Sequence, residues 1–236
     1  MIKAMILCAG FGKRLNPLTL KLPKPLLKIG KETLLSNTIK FLENYGIQEV
    51  IINVHYLGSQ IIEYTKNNKF NLNITIIEEK EKILDTGGGV LNAIDYFSKE
   101  HFLIINPDTI WNATYYKYLR LMQKNIVSIK NSKCFMLLVN KKKSFDKSLL
   151  GDFNLEKNLI KRDGKKDNSE YIYTGLQIIK PEVFLEQNNK IFSMNKVWNN
   201  LINKKQLLGV ESKNEFFHVS DLNTYKSLIS KNLDIK

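Results

Sequence analysis

Between residues 3 and 106, short apolar runs alternate with stretches of helical period, and nothing else in the chain narrows its fold as much. Residues 3–8, Glu49–Val54, residues 73–77 and residues 102–106 are rich in β-branched and other apolar side chains and read as strands. Leu34–Tyr45, Gly58–Asn67 and residues 88–97 carry apolar side chains at helical spacing, and Gly46 is suited to stop the first of these. Strand–helix–strand repetition predicts right-handed crossovers on a mostly parallel, twisted, Rossmann-like sheet flanked by helices, an α/β fold. After about residue 125 the rhythm changes. Residues 132–140, residues 149–156, Leu159–Lys161 and Tyr171–Ile179 resemble strands without long helices between them. Helices are expected again at 193–203 and 221–232. With no repeat or low-complexity linker, a single domain over residues 1–236 with a β-rich second half is expected.

Hydrophobic residues make up 43% of the chain, enough for a substantial core and against disorder. No apolar run approaches the roughly 20 residues that a bilayer-spanning helix requires. Residues 1–7 are too short for a signal peptide and lead straight into a glycine loop. Cys8 and Cys134 lie among apolar neighbours, which points to buried thiols in a reducing cytoplasm rather than a disulfide. The formal charge of +13 suits nucleic acid, an anionic membrane surface or a phosphate-rich small substrate. An AT-rich coding bias would raise Lys, Asn and Ile together in the same way. The lysines are scattered, with clusters at Lys141 to Lys143 and Lys161 to Lys166, and aromatic residues do not interleave with them as in a single-strand stacking platform. Charge by itself selects no partner.

The chemistry concentrates in the loop after the first strand, Ala9-Gly10-Phe11-Gly12-Lys13-Arg14-Leu15, followed by Pro17-Leu18-Thr19 and Pro23-Lys24-Pro25. Glycines there let backbone N–H groups approach an anion closely. The loop ends a strand where ligand crevices of α/β sheets open. It also carries Lys13 and Arg14, and Lys24 is held between two prolines that restrict the backbone. It is not a Walker loop, since no Gly-Lys-Ser/Thr follows at the required spacing, and it lacks the third glycine of a dinucleotide fingerprint. A P-loop kinase and an NAD-linked dehydrogenase are thereby disfavoured. A long, basic loop of this kind is suited to a triphosphate.

The run from Cys8 to Thr19, with Pro23-Lys24-Pro25 behind it, resembles the opening of sugar-1-phosphate nucleotidyltransferases. The resemblance extends to Asp85-Thr86-Gly87-Gly88-Gly89-Val90, to Asn106-Pro107-Asp108 and to Tyr173-Thr174-Gly175-Leu176, and so spans most of the chain. Its length and the Thr-Gly-Gly-Gly segment are most similar to the N-acetylmuramate-1-phosphate uridylyltransferases of cell-wall recycling. The resemblance implies a glycosyltransferase-A-like fold, with nucleotide bound by residues 1–125 and sugar by residues 126–236. The implied reaction joins a nucleoside triphosphate and a sugar 1-phosphate with release of pyrophosphate, with Mg²⁺ or alternatively Mn²⁺ as cofactor. Neither nucleic acid nor membrane is an expected partner, and a monomer or weak homo-oligomer is expected.

Residue by residue, the resemblance implies that Arg14 holds the β- and γ-phosphates. Lys24 would lie between the α-phosphate and the sugar phosphate, and the backbone of Ala9, Gly10, Gly12 and Lys13 would line the nucleotide. Asp108, at the carboxyl end of an apolar strand, is the implied metal ligand. Gly88 is the expected base contact, because helix-entry glycines expose free N–H donors. On the substrate side the implied residues are Asn106, Thr174, Gly175 and Glu170, with Lys161 or Arg162 as weaker candidates. One departure stands out: the family carries a second metal-binding Asp where this chain has His218, and Asp221 reads as the cap of the next helix. Imidazole suits softer metals than Mg²⁺. Three outcomes therefore stay open: catalysis with Asp108 and substrate phosphates, a different metal held with His218, or a non-catalytic nucleotide-binding module. Within the active reading, uridylyl transfer to an amino-sugar phosphate is preferred. Guanylyl transfer to mannose or heptose 1-phosphate and cytidylyl transfer to a phosphorylated alcohol are the alternatives.

Overall fold

Apolar side chains point to opposite faces along each central strand, and that alternation divides the core in two. In β1 (Ala4–Leu7), Ala4 and Ile6 face one way and Met5 the other. In β4 (Glu49–Val54), Val50, Ile52 and Val54 oppose Ile51, and in β6 (Phe102–Ile105), Leu103 and Ile105 oppose Phe102 and Ile104. β7 (Cys134–Asn140) repeats the pattern, with Phe135 and Leu137 opposing Cys134, Met136 and Leu138. The computed structural model, which describes residues 2–162 and 169–231, packs helices against both faces. Leu35, Ile39 and Leu42 of α1 (Leu34–Tyr45), Ile61 of α2 (Gly58–Asn67) and Leu119, Met122 and Ile126 of α4 (Tyr116–Ser128) cover the first face. Val90 of α3 (Asp85–Asn92) and Val197, Trp198 and Leu201 of α5 (Met194–Asn203) cover the second. Each such side chain contributes roughly 1.5–3 kcal/mol on full burial. Losing either helical layer would therefore strip the sheet of most of its support.

The remaining strands are β5 (Asn73–Glu78), β8 (Asn154–Glu156), β9 (Leu159–Lys161), β10 (Tyr171–Ile179) and β11 (Leu207–Ser212), and they complete a nine-stranded sheet in the order β5-β4-β1-β6-β10-β7-β11-β9-β8. The block β5-β4-β1-β6 is parallel throughout. β10 joins it antiparallel to both β6 and β7, while β11 runs parallel to β7. A small hairpin, β2 (Lys28–Ile29) with β3 (Glu32–Thr33), precedes α1. α6 (Leu222–Ser230) closes the described chain, with Asp221 accepting from the Thr224 amide at 2.8 Å as the expected cap.

Several expectations need revision. The helix predicted over 88–97 begins earlier, at Asp85, and stops at Asn92, where a 3₁₀ turn over Ile94–Phe97 takes over. Of residues 149–156 only Asn154–Glu156 forms a strand. The basic run from Lys161 lies outside the described residues beyond Arg162. Cys8 and Cys134 belong to different core layers and are free and buried, and burial raises both thiol pKa values, so neither is a reactive thiolate. No helix among the described residues is long and apolar enough to cross a membrane.

Candidate active site

β1, β4 and β6 run in the same direction, so their carboxyl ends open on one edge of the sheet. β4 and β5 lie to one side of β1 and β6 to the other, which makes the β1–β6 boundary the point where the chain's winding reverses. Crevices form at such points because the loops on either side diverge. The cavity here, of about 430 Å³, is lined by the whole glycine loop from Cys8 to Leu15, by Lys24, by Asn106 to Asp108, and by Asp85 and Thr86.

The loop is fixed by a buried chain of hydrogen bonds. The Cys8 amide donates to Asn53 Oδ1 at 3.1 Å, and Asn53 Nδ2 donates to Glu79 Oε1 at 2.7 Å. Glu79 Oε2 in turn accepts from the Leu84 amide at 2.7 Å, just ahead of α3. The glycine loop, the end of β4 and the segment between β5 and α3 are thereby held to one another. Gly89 makes this possible, since a Cβ there would stand 2.7 Å from Asn53 Nδ2 and 2.8 Å from Glu79 Oε1. Gly12 is required for another reason: its φ of +65° is left-handed, and its carbonyl accepts from Thr19 Oγ1 at 3.0 Å. Gly10, where an added Cβ would meet nothing within 4 Å, lies beside open space. Arg14 is exposed at the cavity with no ion pair or hydrogen bond among the described residues, and Lys13 sits over the Phe11 ring at 5.3 Å.

Lys24 and Asp108, 84 positions apart in sequence, meet at 2.6 Å. Pro23 (φ −65°) leads into a 3₁₀ turn over Lys24–Leu26, with Pro25 inside the turn, so the lysine backbone is held as the prolines require. Asp108 follows β6 and is locked from behind, its carbonyl accepting from the Val219 amide at 2.8 Å. His218 lies beside it with Nε2 3.2 Å from Asp108 Oδ2, and its ring stacks on Phe216. Burial opposes ionisation of Asp108. The Lys24 ammonium, and behind it His218, outweigh that penalty and hold the carboxyl far below the usual carboxylate range.

Asp108 Oδ1 is buried and accepts no hydrogen bond, which leaves a hard oxygen donor unused. Among the described residues no cluster of three or more His, Cys, Asp or Glu side chains is arranged for a metal ion. The protein's donors therefore fit Mg²⁺ only as a one-carboxylate site completed by substrate phosphates, a usual arrangement for that ion. Asp108 would hold it. His218 fits poorly as a Mg²⁺ ligand, because its Nε2 faces the carboxylate oxygen that Lys24 also occupies and imidazole suits softer metals than Mg²⁺.

Other assigned residues are placed differently. Gly88 does not present a free donor: its amide and that of Gly87 both bond the Phe192 carbonyl at 2.9 Å. A Cβ on Gly88 would stand 2.1 Å from the Lys190 carbonyl oxygen, so this glycine serves close packing. Gly88→Ala is expected to cost roughly 2–4 kcal/mol, read as a lowered denaturant midpoint. Asp85 and Thr86 line the cleft in its place, Asp85 in the left-handed region at φ +61°. Thr174 is buried with its hydroxyl donating to the Leu137 carbonyl at 2.9 Å, so it holds β10 to β7 and is not part of the cleft lining. Gly175 (φ +90°) sits at the β10 bulge, where its carbonyl accepts from the Asn106 amide at 2.8 Å. It thus positions Asn106, which does line the cleft. Glu170 and Lys161, the latter paired with Glu156, are exposed and away from the cleft lining, and half-buried Arg162 is likewise absent from it, donating instead to Asn195 and Asn199 of α5. Sequence reasoning missed Asn53 and Glu79; the one available signal was Asn53's place near the carboxyl end of a strand beside β1.

Residues 3–196 match the nucleotidyl transferase family. The chain belongs to that family. It is 25% identical over 222 residues to the N-acetylmuramate alpha-1-phosphate uridylyltransferase of Caulobacter vibrioides, covering 92% of this chain and 91% of that protein. It is 37% identical over 113 residues to the mannose-1-phosphate guanyltransferase of Schizosaccharomyces pombe, covering 46% of this chain but only 31% of that longer protein. Among solved structures, HddC from Yersinia pseudotuberculosis complexed with GMP-PN superposes with a TM-score of 0.77 at 22% identity, over 98% of this chain and 99% of HddC. That likeness establishes a shared nucleotidyltransferase fold.

Proposed function

We propose that this nucleotidyltransferase acts on a sugar 1-phosphate, with UTP and N-acetylmuramate 1-phosphate or a related amino-sugar phosphate as the preferred pair. The observation that carries the reading is the convergence of Arg14, Lys24 and Asp108 on one cleft beneath a glycine loop. A phosphate oxygen of the sugar phosphate attacks the α-phosphorus of the triphosphate. The bond from that phosphorus to the bridging oxygen breaks, and pyrophosphate departs with the electron pair. No proton transfer or covalent enzyme intermediate is needed, so positioning and charge neutralisation supply the catalysis. Arg14, with no partner among the described residues, is placed to grip the leaving phosphates. Lys24 would neutralise charge between donor and acceptor phosphates, and Asp108, flanked by His218, holds it in place. A divalent ion at Asp108, when bound, adds charge neutralisation on the phosphates.

The near full-length match to the uridylyltransferase supports the uracil reading. The higher local identity to the guanyltransferase supports guanylyl transfer as the second reading. Pyrophosphate exchange across a panel of triphosphates and sugar phosphates tests both. Exchange with UTP and an amino-sugar phosphate is expected; exchange with none of the pairs in Mg²⁺ or Mn²⁺ would refute the activity. Arg14→Ala is expected to raise the triphosphate KM by about tenfold or more, since a charge-assisted contact contributes about 1.5–3 kcal/mol. An unchanged KM would remove Arg14 from the phosphate site.

A further inference from the structure

A second cavity, of about 450 Å³, lies outside the cleft, between the segment after β7 and the strand-like run that leads to His218. Lys142, Lys143, Lys147 and Lys231 line it, and none has a carboxylate partner among the described residues. Glu215 is the one acid in its wall. Its apolar wall is Phe145 and Phe217, with ring centroids 5.7 Å apart, and the Lys231 ammonium stands over both at 5.0 and 6.0 Å. Ser144, also in the lining, is 1% exposed and its hydroxyl has no hydrogen-bond partner. A buried hydroxyl without a partner is costly unless a ligand completes it. Four cations without a carboxylate partner among the described residues, of which Lys147 donates to the Lys142 carbonyl at 2.9 Å, surround a partly enclosed space and favour an anion with several charges. The two phenyl rings, inclined at 41° to one another, offer an apolar surface that inorganic ions do not use.

We propose that this cavity is a second binding site for a nucleoside phosphate, its phosphates among the lysines and its base against Phe145 and Phe217. The inference rests on this surface alone and does not require the cleft to bind nucleotide. Phe217 is unsuitable as a probe because its carbonyl accepts from the Ile110 amide close to Asp108. Lys142 and Lys147 are exposed on the segment after β7 and neither lines the cleft, so both can be reversed without touching it.

Calorimetric titration of the full chain with UDP and GDP, compared with inorganic pyrophosphate, tests the site. Wild type is expected to bind two nucleotide equivalents. Lys142→Glu/Lys147→Glu should lose one by weakening on the order of tenfold or more, with exchange activity and melting temperature unchanged. Arg14→Ala/Lys24→Ala should lose the other. Equal binding by wild type and Lys142→Glu/Lys147→Glu would overturn the second site. Pyrophosphate binding there as tightly as the nucleotides would overturn its assignment to a nucleoside phosphate. If the cleft variant alone leaves binding unchanged, the cleft reading fails and the second site stands.

Discussion

Lys24→Ala is expected to lower kcat/KM for nucleotidyl transfer by about 10²–10³-fold, the usual cost of deleting one preorganised charge that faces the transition state. The expectation follows from where the ammonium is held. Its Nζ lies 2.6 Å from Asp108, its side chain is 15% exposed, and the turn carrying it is bounded by two prolines. Loss should appear mainly in kcat, because charge builds on the transferring phosphoryl group as the leaving bond breaks. The variant should still fold, since the core layers around β1 and β6 do not involve Lys24. Steady-state kinetics alongside thermal melting checks both parts. Unchanged kinetics with an unchanged melting temperature would refute the assignment.

Asp108→Asn is the second large effect, expected to reduce turnover by about 10²–10³-fold at saturating Mg²⁺ or Mn²⁺. The amide keeps the shape of the carboxyl but removes the charge that faces Lys24 and His218, and with it the hard anionic donor beside them. Removing one partner of a well-buried ion pair typically costs about 3–5 kcal/mol. The side chains here retain 15% and 19% exposure, so a smaller loss is expected. For a chain of this size each kcal/mol corresponds to about 2–4 °C in melting temperature. Turnover lost with cooperative melting retained is the predicted outcome. Near-normal turnover, or collapse of the fold, would show that Asp108 is not placed to serve the reaction.

Much of this architecture was legible because strand alternation and helical period are local signals. Leu34–Tyr45, Glu49–Val54, Gly58–Asn67 and Tyr171–Ile179 occupy the spans their side-chain patterns predict. α4 escaped because its buried stripe, Tyr118, Leu119, Met122 and Ile126, is interrupted by Lys, Arg, Gln and Asn on the exposed face. β11 escaped because Gly209 weakens a strand pattern, although tertiary packing requires it: a Cβ there would lie 2.9 Å from Leu155. In the site, the glycine loop, Lys24, Asp108 and Asn106 could be read as chemistry from their neighbours in sequence, and they share the cleft. Gly88 and Thr174 could not be placed in the same way. Whether a glycine faces a ligand or a carbonyl such as that of Lys190 depends on a segment about 100 residues away. Likewise the Thr174 hydroxyl is claimed by Leu137 of the neighbouring strand, which no local pattern announces. The Asn53–Glu79 bridge is illegible for the same reason: it joins the end of β4 to the residue just after β5, whose proximity exists only in the folded sheet.

The most direct test is a crystal structure of the protein with a nucleoside triphosphate and a divalent ion. The account predicts phosphate density against the backbone of Gly10 to Lys13, with Arg14 and Lys24 in contact with it and the cation on Asp108. Phosphates bound elsewhere, with the glycine loop empty and Asp108 still closed onto Lys24, would contradict it.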